Sequence, residues 1–123
     1  MKSIFIVDDS PTILMSLKTN LEMHGFKVET ASDGQDAVNK LNNGANPDLI
    51  ITDLNMPRMD GFKLIEHVRQ MRTFRFKPIL VLTTESQLQK RQEAKRLGAT
   101  GWLVKPVSGN DLIKVIRKVL PGA

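Results

Sequence analysis

The chain has 123 residues, a formal charge of +5, and 41% hydrophobic and 25% charged residues, which is the size and balance of one domain that can close its own core. It has no cysteine, so disulfides and thiolate metal sites are excluded. No stretch has the length and hydropathy of a signal peptide or a membrane span, so a cytoplasmic domain without membrane contact is expected.

The elements alternate from the start. Residues 3–7 read as a first strand, and Ser10 followed by Pro11 starts a helix, as N-cap and first-turn proline. Ile13, Leu14, Leu17 and Leu21 give that helix an apolar face, and His24-Gly25 ends it. A second strand is expected over 26–30 and a second helix around Ala37, Val38 and Leu41, closed by a loop over 42–47. Residues 48–52 form a continuous apolar strand of the kind covered on both faces. A loop runs from Leu54 to Asp60. Helix three follows over 61–72, with Phe62, Ile65 and Val68 inward. Strand four is placed at 78–82, helix four at 86–97 before Gly98, and strand five at 100–104. Ser108 caps the last helix, whose buried stripe is read as Leu112, Val115, Ile116 and Val119, with Pro121-Gly122 as its stop.

Five strands alternating with five helices define an α/β fold: a single (βα)5 doubly wound parallel sheet of flavodoxin-like strand order 2-1-3-4-5. Residues 1–123 are assigned to one domain, with no internal repeat or linker. The basic residues that cluster late, between positions 69 and 118, are read as solvated helix faces without aromatic interleaving, and no nucleic-acid motif accompanies them.

Four polar signals each follow an apolar run: Asp8-Asp9 after the first strand, Asp53 after the third, Thr83-Thr84 after the fourth and Lys105-Pro106 after the fifth. In a parallel sheet the carboxyl ends of neighbouring strands open onto one crevice. Taken alone, Asp8-Asp9 would be a helix cap, Asp53 a loop cap, Thr83 a strand former and Lys105 a surface lysine. Together they bring three carboxylates, a hydroxyl and an ammonium to one place. Two like charges about 4 Å apart repel by about 4 kcal/mol at an effective dielectric near 20. Three carboxylates therefore call for a cation, and an all-oxygen set suits Mg²⁺ or Mn²⁺. An aspartate so placed can act as a phosphoryl acceptor.

The motifs Val7-Asp8-Asp9-Ser10, Thr52-Asp53-Leu54-Asn55-Met56-Pro57 with Asp60-Gly61, Leu82-Thr83-Thr84-Glu85, and Gly98-Ala99 through Trp102 to Lys105-Pro106 occur in this order. With them the whole chain resembles the receiver domain of two-component response regulators, in particular the stand-alone CheY-like chemotaxis type. The resemblance implies that Asp53 is the phosphoacceptor. It implies that Asp9 and Asp53 ligate the metal directly and Asp8 through water, with the backbone carbonyl of Asn55 as a further ligand. It also implies that Thr83 and Lys105 contact the phosphoryl oxygens, across a cis Lys105-Pro106 bond. Trp102 occupies the place of an aromatic switch residue, although as a larger side chain than usual, and an edge filler is the other reading of it. Asn55 and Glu85 hold the positions that tune dephosphorylation, and Val107 departs from the Phe that often follows Lys-Pro.

The implied function is a single-domain response regulator, not a turnover enzyme. It would take a phosphoryl group from a CheA-like histidine kinase and change the surface of helix four, strand five and helix five. That surface would bind a protein target such as a flagellar motor switch, or a kinase or phosphotransferase, before the protein dephosphorylates itself, and a monomer is expected. A phosphorelay intermediate or phosphate sink is the alternative. A haloacid-dehalogenase-type phosphohydrolase is a remote one, since its second Asp would fall at Asn55. A DNA-binding regulator is disfavoured, because no helix-turn-helix segment is visible.

Overall fold

A computed structural model describes residues 1–123. The chain order is β1 (Ser3–Val7), α1 (Pro11–Met23), β2 (Lys27–Ala31), α2 (Gly34–Asn42), β3 (Leu49–Thr52), α3 (Gly61–Gln70), a 3-10 turn (Arg72–Phe74), β4 (Ile79–Thr83), α4 (Leu88–Leu97), β5 (Gly101–Val104) and α5 (Gly109–Val119). All strand pairs are parallel and the sheet order is β2-β1-β3-β4-β5.

The apolar runs of the strands explain the two-sided core. Phe5 and Val7 of β1, Ile50 of β3, and Ile79 and Val81 of β4 face one layer, with Leu64, Ile65 and Val68 of α3 and Ala37, Val38 and Leu41 of α2. The alternate residues Ile4, Ile6, Leu49, Ile51, Leu80 and Leu82 face the other, with Leu21 of α1 and Leu112, Ile113 and Ile116 of α5. Period-2 side-chain alternation sends neighbours to opposite faces, so a strand buried on both sides must be apolar throughout.

Several expected bounds shift. β2 and β4 each lie one residue later than read, because the ladder pairs Ser3 with Lys27 and Ile50 with Ile79. β3 begins at Leu49 because the Asp48 side chain accepts the Ser3 amide at 2.9 Å. β5 begins at Gly101, since the Thr100 hydroxyl accepts the Ile79 amide at 3.0 Å. Helix three ends at Gln70 and gives way to the 3-10 turn, and helix four starts at Leu88, not 86. Leu64 joins the buried face of α3, while Phe62 is only partly covered. In α5 the buried stripe is Leu112, Ile113 and Ile116, and Val115 and Val119 sit at its margin.

The caps at Ser10 and Ser108 are as read: their hydroxyls accept the amides of Ile13 at 3.3 Å and Asp111 at 3.1 Å. α4 ends at Gly98 with φ +118°, a left-handed conformation that glycine adopts without a Cβ clash. The basic segment 72–77 departs from the expected pattern. It contains Phe74, which is buried, and Phe76, which is 90% exposed.

Candidate functional site

The backbone ladder runs one residue past the strands and fixes the heights of the polar residues. The Asp8 amide donates to Ala31 O at 3.1 Å, the Asp53 amide to Val7 O at 3.0 Å, and the Lys105 amide to Thr83 O at 2.7 Å. Asp8, Asp53, Thr83 and Lys105 therefore all end up at the carboxyl edge of the sheet. The site follows from strand registration together with the residue type that ends each strand.

At the centre is the Lys105 ammonium. It donates to Asp8 Oδ2 at 2.7 Å and to Asp53 Oδ2 at 3.0 Å. The second oxygens are also held: Asp8 Oδ1 accepts the Ser10 amide at 2.9 Å, and Asp53 Oδ1 accepts the Leu54 amide at 2.6 Å. Burial alone would push the Lys105 pKa down, but the hydrogen bonds and charges of Asp8 and Asp53 outweigh it and hold the pKa above its ordinary value. Lys105 thus stays charged throughout the physiological range. The Lys105-Pro106 peptide bond is cis.

Asp8 is almost fully buried, Asp53 is partly buried and Asp9 is exposed, and each offers one oxygen within 4.8 Å of the others. One ammonium cannot neutralise three carboxylates, so the cluster keeps an excess of negative charge. The donor set is all oxygen and lies at an open edge, which fits a hard divalent cation such as Mg²⁺. Nothing in the cluster favours Mn²⁺ over Mg²⁺. The Asn55 backbone carbonyl accepts no hydrogen bond from the protein, so it is free to act as a ligand.

Close approach keeps the end of β3 and the start of α3 together. The Gly61 amide donates to Leu54 O at 2.9 Å, and a Cβ on Gly61 would collide with Asp53 O. Only glycine lets α3 begin against the backbone of Asp53. Asp60 caps α3 by accepting the Lys63 amide at 2.9 Å.

The remaining candidates lie around this centre. Thr83 is fully buried, and its hydroxyl accepts the Glu85 amide at 3.3 Å. Glu85 pairs with Lys90 at 3.2 Å and accepts the Gln87 amide, so its carboxylate is engaged along the start of α4. Asn55 is exposed, and its side chain makes no hydrogen bond within the protein. Trp102 is half-buried against the α3 side of the core and borders a shallow recess with Arg91, Ala94, Lys95 and Ala99.

Sequence reasoning missed Asp33 and Arg58. The Asp33 carboxylate is buried at the start of α2 and takes both Arg58 nitrogens, Nε at 2.8 Å and Nη2 at 3.1 Å. The two residues are 25 positions apart, and no local pattern links them.

Comparison with known proteins agrees with this geometry. Residues 4–117 match the model of the response regulator receiver domain, and the chain belongs to that family. It is 37% identical to protein PilH of Pseudomonas aeruginosa, over 99% of this chain and 100% of that protein. It is similar in structure to the chemotaxis protein CheY4 of Vibrio cholerae, at 45% identity and a TM-score of 0.93, covering 98% of this chain and 99% of that one. It spans about half the length of transcriptional regulators it also matches, such as ycf27 of Guillardia theta, at 38% identity over 97% of this chain and 45% of that protein. The chain is a CheY-like response regulator, and its function is of the chemotaxis signalling type. Membership implies a histidine-kinase phosphodonor and a downstream target, and receivers are signalling proteins, not turnover enzymes. No helix is long and apolar enough to cross a membrane.

Proposed function

We propose that Asp53 accepts a phosphoryl group from a phosphohistidine of a CheA-like kinase, and that residues 1–123 act as a cytoplasmic, monomeric, phosphorylation-controlled interaction module. The observation that carries this reading is the single ammonium of Lys105 shared by Asp8 and Asp53, with Asp9 in the same cluster.

An oxygen of Asp53 attacks phosphorus, the bond from phosphorus to the histidine nitrogen breaks, and the nitrogen leaves with the electron pair. A mixed anhydride on Asp53 results. A bound Mg²⁺, held by Asp8, Asp9, Asp53 and the Asn55 carbonyl, would supply charge neutralisation for the incoming group. Lys105 already lies against Asp53 and can move its bond from a carboxylate oxygen to a phosphoryl oxygen. The Thr83 hydroxyl can leave the Glu85 amide and donate to the same group. Water later attacks phosphorus and releases inorganic phosphate. Asn55 and Glu85 set how readily that water is positioned, with a lifetime of seconds to minutes.

Withdrawal of Thr83 gives Trp102 room to turn inward, which alters the surface of α4, β5 and α5. That surface carries Arg91 and Lys95 and suits an acidic protein target, with motor control favoured over a phosphorelay or phosphate-sink role. The test is incubation with acetyl phosphate and Mg²⁺. Wild type should gain the mass of one phosphoryl group, whereas Asp53→Asn and the chelated wild type should not. Full-rate labelling of Asp53→Asn would refute the assignment.

A further inference from the structure

The loop between β3 and α3 carries the Asn55 carbonyl and leads directly from Asp53, so whatever holds that loop holds part of the site. Two adjacent loop residues, Arg58 and Met59, are joined to two adjacent residues at the start of α2. The Arg58 guanidinium meets the Asp33 carboxylate in a fork, at 2.8 and 3.1 Å. The Gly34 amide donates to Met59 O at 3.0 Å, and a Cβ on Gly34 would lie 2.5 Å from that oxygen.

Asp33 has two roles at once. Its Oδ1 caps α2 by accepting the Asp36 amide at 2.8 Å, and the same carboxylate is only 4% exposed as a residue. A carboxylate buried to that degree needs a charged partner. The partner comes from the acceptor loop and not from α2. Arg58 takes up φ +62° to reach it, a left-handed conformation that costs an arginine more than a glycine. The loop therefore keeps an unfavourable backbone angle in a residue whose side chain supplies the fork. A lysine could not reproduce that two-point contact.

We propose that the Arg58–Asp33 pair is a positioning device for the cation site: it fixes the β3–α3 loop so that the Asn55 carbonyl is preorganised beside Asp53. Neither residue touches the reacting atoms. The inference rests on the function proposed above for Asp53 and goes beyond it by assigning the loop's support to α2. Outer partners of metal ligands commonly change affinity by about 10-fold to 100-fold when removed. A loop anchor three residues from its ligand should act at the low end of that range.

The test measures Mg²⁺ affinity by calorimetry on the full chain, without phosphodonor, together with amide exchange of residues 55–60 in metal-free protein. Arg58→Ala and Asp33→Ser should each weaken Mg²⁺ binding by about tenfold and speed exchange in the loop. Serine retains the helix cap, which separates loss of the pair from loss of α2. Arg58→Gly relieves the backbone angle yet should still weaken binding, and Arg58→Lys should restore only part of it. The double variant Arg58→Ala/Asp33→Ser should be no worse than either single one, because both remove the same interaction. Unchanged Mg²⁺ affinity in the two single variants, or additive losses in the double, would overturn the proposal. Failure of wild type to take up phosphoryl while Mg²⁺ affinity follows the pair would instead strike only the assignment of Asp53.

Discussion

Two aspartates bracket β3, and they differ in how their charge is met. Asp48, just before the strand, accepts the Ser3 amide at 2.9 Å and faces Lys77 at 3.5 Å, so one carboxylate has its own donors. Asp53, just after the strand, shares the single ammonium of Lys105 with Asp8, and Asp9 adds a third carboxylate to the cluster. The same residue type at the two ends of one strand is matched in one place and crowded in the other. A matched carboxylate stabilises the fold. A crowded one carries a cost in stability, which the role proposed for Asp53 would explain.

Substitutions at the two ends should separate these roles. The largest effect is on chemistry: Asp53→Asn should abolish labelling by acetyl phosphate, whereas Asp48→Asn should label at the wild-type rate. Loss of labelling in both would erase the distinction. Next is Gly61→Ala, whose Cβ meets Asp53 O and should cost about 3 kcal/mol in urea unfolding. A smaller loss of about 1 kcal/mol is expected for Asp48→Asn, while Asp53→Asn should be as stable as wild type or more so.

The Asp48 effect should also depend on pH. The hydrogen bond from the Ser3 amide, opposed by burial and aided by Lys77, holds the Asp48 carboxyl below its ordinary value of 3.8. Its stabilisation is complete above that value and is lost as pH falls through the lower folded-state value. The stability difference between wild type and Asp48→Asn should therefore shrink in acid, and a difference that persisted at pH well below the carboxylate range would contradict the role given to Asp48. The smallest effect is optical. Trp102 emission should change on phosphorylation, and an unaltered spectrum in fully labelled protein would leave Trp102 as an edge filler.

The contrast also shows what the sequence could convey. Asp8, Asp53, Thr83 and Lys105 were legible because each ends an apolar run, and parallel pairing brings such ends together. The caps at Ser10 and Ser108 were legible because capping is local. The stripe of α5 was misjudged because Leu112, Ile113, Val115, Ile116 and Val119 are all apolar, so periodicity alone could not choose between two neighbouring faces. The pairs Asp48–Ser3 and Asp33–Arg58 join residues 45 and 25 positions apart and belong to no repeating pattern. The Arg69 guanidinium is another such case: it donates to the carbonyls of Gly98, Phe74, Arg75 and Lys77, and burial pulls its pKa down with no carboxylate to oppose it. From sequence it was one of several basic residues on a helix face.

The central claim is that crowding around Asp53 makes a cation site. Thermal unfolding of wild type and Asp53→Asn as Mg²⁺ is added tests it most directly, since a ligand that binds only the folded state raises stability with the logarithm of its concentration relative to its dissociation constant. Wild type should gain stability steadily with Mg²⁺ and Asp53→Asn should gain far less. Equal gains in the two proteins, or none in wild type, would contradict the account.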